Sequence, residues 1–168
     1  MADQRDRRGD QQHRRTREFE AFVAGAGGRL LHAATLLTTE PPARNPRARA
    51  LLTASLAHTY AHWDRLRGED PYDRTRTELA TRFARAAWRH HRGHGGVLSA
   101  LTPQERLVVV LRMYENVAEE QTAAILGLPM DRVRAVCHRA VSALRRTGTG
   151  TGAAAGPVPG TDPGRAAS

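Results

Sequence analysis

NVAEEQTAAILGLPMDRVRAVCHRAVSALRR, residues Asn116 to Arg146, holds two helical patterns joined by a turn too short for anything but a helix-turn-helix. Asn116 with Glu119 has the form of an N-terminal capping pair, which predicts that the first helix opens there. Gly127 closes it, because glycine adopts a left-handed backbone at least cost. Pro129 is tolerated at a helix start and Asp131 complements its positive end, so a second helix is expected to about Arg146. At about 100° per residue, Met130, Val133, Val136, Cys137, Ala140, Val141 and Leu144 share one side of that helix. Asp131, Ala135, His138, Arg139, Ser142 and Arg146 fall opposite, and Arg132, Arg134 and Arg145 complete a polar and basic surface. An apolar stripe that seats a rod and a polar face that can reach base edges and phosphates are what a recognition helix needs. His138 and Arg139 are placed to meet bases, with Arg134 and Arg145 nearer the backbone. An ordinary solvated helix in a small bundle shows the same division.

Upstream, Thr102-Pro103-Gln104-Glu105 supplies a cap, a first-turn proline and a capping-box carboxylate, announcing a helix through Leu107, Val110, Leu111 and Tyr114. Gly93 to Gly96, GHGG, marks a boundary between periodic blocks. Further back, Thr77 to His91 carries a helical pattern with Arg82, Arg85, Arg89 and Arg92 around it, a second basic surface. Ala50 to Trp63 is another helix. Three prolines between Glu40 and Pro46 interrupt the chain. Glu18 to Thr38 reads as one kinked helix or two short ones, because Gly25 to Gly28 interrupts the period. The organisation expected is an all-α protein of two small helical units, 17–92 and 98–146, joined by a short linker at 93–97. Residues 1–16 and 147–168, without an apolar period, are expected to be a disordered arm and tail.

The 168 residues are 40% hydrophobic but only 5% aromatic, so the cores should be aliphatic and alanine-rich. The formal charge of +9 comes from arginine without a single lysine, which suits a polyanionic partner. Cys137 is the only cysteine, so no intramolecular disulfide can form, and a reducing, cytoplasmic setting fits. No apolar run reaches membrane-spanning length and no signal-peptide core opens the chain. His58 with His62, and His90, His91 and His94, form clusters that lack further ligands at metal spacing. No catalytic constellation, cofactor loop or metal set emerges, and an enzyme is not expected.

The segments FEAFV at Phe19 to Val23, LLHAATLLT at Leu30 to Thr38, LAHTYAHW at Leu56 to Trp63, and above all LTPQERLVVVLRMYENVAEEQTAAILGLPMDRVRAVCHRAVSALR resemble extracytoplasmic-function sigma factors, particularly an actinobacterial branch. The resemblance spans about Glu18 to Arg146. It implies a region 2-like first half, a region 4-like second half that reads a promoter's upstream element, no catalytic residues, and double-stranded promoter DNA and core RNA polymerase as partners. It also allows an anti-sigma protein.

Two departures stand out. Where the family carries an acidic pattern, this chain has Ala48 to Ser55 with Arg49 basic, so the polymerase contact would fall to Arg49, Leu52, Thr53 and Leu56 with weakened attraction. The linker from Arg92 to Val97 offers only about 20 Å of extended chain. Three functions remain open: a divergent sigma factor, a sigma-derived regulator that binds DNA or a sigma-related partner without initiating transcription by itself, and a helical interaction module whose arginines only confer solubility.

Overall fold

The computed structural model describes residues 2–66 and 68–151, with side chains for 7–66 and 68–148. Six α-helices make up the described residues: α1 (Ala2–Thr38), α2 (Pro46–Ala61), α3 (Pro71–Arg85), α4 (Pro103–Val109), α5 (Glu119–Leu126) and α6 (Met130–Thr151). Short 3₁₀ turns follow α2 at Trp63–Arg65 and α3 at Ala87–His90, and a π-helical turn, Val110–Tyr114, extends α4. Among the described residues there is no strand.

Each helix start has its own chemistry. Pro46 opens α2, whose first amides are satisfied from a distance: buried Glu40 accepts from Arg47 N (3.1 Å) and Ala48 N (2.8 Å). Asp70 caps α3 by accepting from Tyr72 N, ahead of Pro71. The capping box at Thr102 and Glu105 forms as the sequence predicts. Gly127 closes α5 at φ +63, with Leu128 N donating to Ala123 O.

Other expectations are corrected. Asn116 does not cap α5. It takes a left-handed φ of +53 in the turn after the π-helical segment, Ala118 occupies the cap position, and Glu119 is left to bond elsewhere. The arm expected to be disordered is helical from Ala2, and α1 continues unbroken through Gly25 to Gly28. No apolar period is needed there, because polar groups on one face catch the end of α2: Gln12 donates to the Tyr60 hydroxyl, and Arg15 reaches Tyr60 O and Asp64. At the other end α6 runs to Thr151, so the expected tail begins as helix, and 152–168 lie outside the described residues.

The core is aliphatic and alanine-rich. Leu30, Ala34 and Leu37 of α1, Leu52 of α2, and Leu79 and Phe83 of α3 pack in one buried cluster that also takes in Leu98, Leu101, Leu107, Val110 and Leu111. Residues of both halves therefore share it. The 93–97 segment is pinned: His94 N donates to Thr39 Oγ1 and Gly96 N to Thr39 O, each at 2.9 Å. A Cβ at Gly96 would stand 2.7 Å from that carbonyl, so glycine is required by close approach.

Arg106 lies at the centre of this junction with no surface exposed. Its Nε donates to Leu101 O (3.0 Å) and Leu98 O (3.3 Å), and its Nη1 to His90 O (2.9 Å) and Leu37 O (3.5 Å). A second buried polar centre lies at Glu115, where the Tyr72 hydroxyl is 2.9 Å from both carboxylate oxygens and Arg29 Nη2 is 3.3 Å away. Burial, then the hydrogen bond to Glu115, raises the Tyr72 pKa above its ordinary value.

Arg106→Leu removes the hydrogen bonds to all four carbonyls at once and should lower stability by about 3 kcal/mol in urea unfolding, with Arg106→Lys recovering only part because a lysine has fewer donors. Tyr72 should give a pH signature. Above about pH 10 the unfolded chain releases a tyrosine proton that folded Tyr72 keeps, so the unfolded state binds fewer protons and stability falls as pH rises. Tyr72→Phe should cost about 2 kcal/mol at neutral pH and reduce that alkaline loss, leaving the part due to Tyr114, which burial shifts in the same direction.

Candidate nucleic-acid interface

α5, the turn at Gly127 and α6 form the helix-turn-helix. Val133, Val136, Cys137 and Ala140 are buried, and the first three pack with Val108 and Ala123. Burial pushes the Cys137 thiol pKa up, which disfavours the thiolate. Met130 departs from the expected stripe: it is 45% exposed, because α6 begins there before it reaches the core. Val141 and Leu144 are half-buried.

Opposite that stripe, Asp131, Arg132, Arg134, Ala135, His138, Arg139, Ser142, Arg145 and Arg146 are all exposed, so every α6 residue expected on the polar surface is accessible. Two of the arginines already hold carboxylates. Arg134 Nη2 lies 2.7 Å from Glu119 Oε1 of α5, and Arg139 Nε lies 3.9 Å from Glu105 Oε1 of α4. Between the π-helical turn and α6 runs a groove of about 350 Å³, lined by Arg112, Met113, Glu119, Arg134, His138 and Arg145 among others. Met113, at 60% exposure, stands at its edge.

The second basic surface is less uniform than its sequence. Arg82 is engaged by Glu78 at 2.6 Å, whereas Arg85 and Arg92 are exposed. The Arg89 guanidinium sits 4.8 Å from the centre of the Trp88 ring. Trp88 is 67% exposed and was missed by sequence reasoning, although a tryptophan set among Arg85, Arg89, His91 and Arg92 was the available signal.

The contact expected on α2 divides. Leu52 is in the core and cannot meet a partner, and Leu56 packs against that core. Arg49 and Thr53 are exposed, with Arg49 Nε donating to Asn45 Oδ1. Period alone could not tell which leucine α1 and α3 cover. The His58 and His62 rings lie 4.4 Å apart, and among the described residues no group of three or more His, Cys, Asp or Glu is placed to hold a metal. No helix among the described residues is long and apolar enough to cross a membrane.

Residues 97–146 match the family model of sigma-70, region 4. An RNA polymerase sigma-E factor of Streptomyces coelicolor is 33% identical over 153 residues, covering 76% of this chain and 84% of the relative. Sigma-E factors of Streptomyces avermitilis and Streptomyces antibioticus are 32% and 31% identical, over 79% and 76% of this chain and 86% and 83% of their own lengths. With the helix-turn-helix inside region 4 and similarity running over three quarters of the sequence, the chain belongs to the RNA polymerase sigma factors of the extracytoplasmic-function type.

Proposed function

We propose that the chain directs core RNA polymerase to promoters by laying the exposed face of α6 in the major groove of duplex DNA, with His138 and Arg139 toward the bases and Arg132, Arg134 and Arg145 toward phosphates. Asp131, Ala135 and Ser142 complete the contact surface. The observation that carries this reading is the division of α6 inside a sigma region 4: Val133, Val136 and Ala140 fully buried, and the whole polar set exposed. Similarity to sigma-E factors over both halves favours initiation over a regulator that only binds DNA. The protein acts without a catalytic centre of its own, and we place it in the cytoplasm beside the polymerase, where an anti-sigma protein can restrain it.

Exposed Trp88 with Arg85, Arg89 and Arg92 supports a second nucleic-acid contact, since an aromatic face among cations suits stacking and phosphate binding. On α2 we assign the polymerase contact to the exposed Arg49 and Thr53.

Run-off transcription with core enzyme tests initiation directly: a transcript that depends on the added chain is expected, and its absence sinks the reading. Arg139→Ala should cost about 1–3 kcal/mol of promoter affinity if it reads a base, and should relax preference at one position. Unchanged affinity for Arg134→Ala/Arg139→Ala in an electrophoretic titration would remove α6 from the interface. A separate expectation concerns α2, where a basic residue replaces the family's acidic pattern. Arg49→Glu with Ala50→Asp should tighten core-polymerase binding by about tenfold in a pull-down titration while leaving duplex affinity unchanged.

A further inference from the structure

Glu119 is the one carboxylate among the side chains lining the groove beside α6, where Arg112, Arg134, His138, Arg145 and the buried Cys137 supply the other titratable groups. Its position is not explained by helix capping, because α5 takes Ala118 as its cap residue and forms no side-chain cap. Nor is stability a sufficient reason for the pair. Arg134 is 62% exposed, and ion pairs at that exposure contribute little to folding. The 2.7 Å separation is that of a charge-assisted hydrogen bond, and it joins α5 to α6 across 15 residues of sequence. The carboxylate sits in the first turn of α5, where the helix dipole favours negative charge.

Resting on the DNA-reading role of α6, we propose that Glu119 is a specificity-determining residue that acts by positioning Arg134. Phosphate contacts fix a protein's register on the duplex, whereas binding out of register is almost wholly a matter of mobile cations finding phosphates. A guanidinium tied to Glu119 meets a phosphate only when the duplex is seated so as to place one there. Released, it follows a phosphate in any register. The carboxylate thus lowers affinity for the wrong sequences more than for the right one, a selection made by an unfavourable charge.

The test uses the full chain assembled with core RNA polymerase, a duplex selected by that complex from a randomised library, and a scrambled duplex of equal length. Glu119→Gln should raise affinity for the scrambled duplex about 5- to 10-fold at low salt and steepen its log-log salt slope by about 0.9, the contribution of one further phosphate contact. Affinity for the selected duplex should change little, so the preference ratio falls. In an Arg134→Ala background the same substitution should have no effect on either duplex. An unchanged ratio and slope in Glu119→Gln overturns the proposal, as does an equal effect in the Arg134→Ala background, which would mean that Glu119 repels phosphates directly. His138→Ala/Arg139→Ala separates the two levels. If that variant loses affinity for the selected duplex while Glu119→Gln is silent, α6 still reads DNA and only the role of Glu119 fails. If it binds as wild type does, the reading of α6 fails and the proposal with it.

Discussion

A single buried guanidinium joins the parts of this chain. Arg106 donates to carbonyls from the end of α1, the 3₁₀ turn after α3 and the segment leading into α4, so the end of α1 is joined on one side chain to the stretch that connects the two halves. No carboxylate partners it among the described residues. Burying a cation this way is tolerable because carbonyl dipoles take the place of water, and of those carbonyls Leu98 O also accepts from Leu101 N. The neighbouring contacts follow from the same meeting of backbones: Thr39 holds the glycine-rich segment, and glycine at position 96 allows the approach.

Glu115 provides a complementary closure on the far side of α4. The π-helical turn carries its carboxylate to Tyr72 of α3 and Arg29 of α1, and the Arg29 cation also lies 5.3 Å from the Tyr72 ring and 5.9 Å from the Tyr114 ring. Extending α4 by i to i+5 bonding moves Tyr114 and Glu115 around the helix axis relative to a regular continuation. Asn116, held at positive φ, then turns the chain so that α5 can begin. Position and charge at this second junction therefore depend on a backbone irregularity that joins the helix-turn-helix to the first half.

What could be seen in the residues was what depends on local pattern. The capping box at Thr102 and Glu105, the closure at Gly127 and the polar face of α6 follow from spacing and from side chains that act within a few positions of themselves. Tertiary partners decided the rest. An arginine one residue after a capping-box glutamate looks solvated, and nothing nearby announces that distant carbonyls converge on Arg106. Asn116 and Glu119 had the spacing of a capping pair, but the π-helical turn shifted the start of α5 and gave each residue another task. Residues 7–16 lack an apolar period yet lie on a helix, because Gln12, Arg15 and Thr16 find partners on Tyr60 and Asp64, some 45 residues away.

The charge of α6 is likewise less than its composition implies. Arginine dominates the exposed face, but Glu119 and Glu105 approach it from α5 and α4, one on each flank. Glu105 is committed on both sides, since its Oε2 accepts from Thr102 in the capping box while Oε1 faces Arg139. Folding and the electrostatics of the exposed face of α6 are thereby coupled through one carboxylate. At 3.9 Å the Arg139 contact is too long for a hydrogen bond, so that guanidinium is biased in position without being tied. Arg134, at 2.7 Å, is tied. The two arginines stand under different constraints, one biased but able to reorient and the other held where α5 places it, and that asymmetry comes from the packing of three helices.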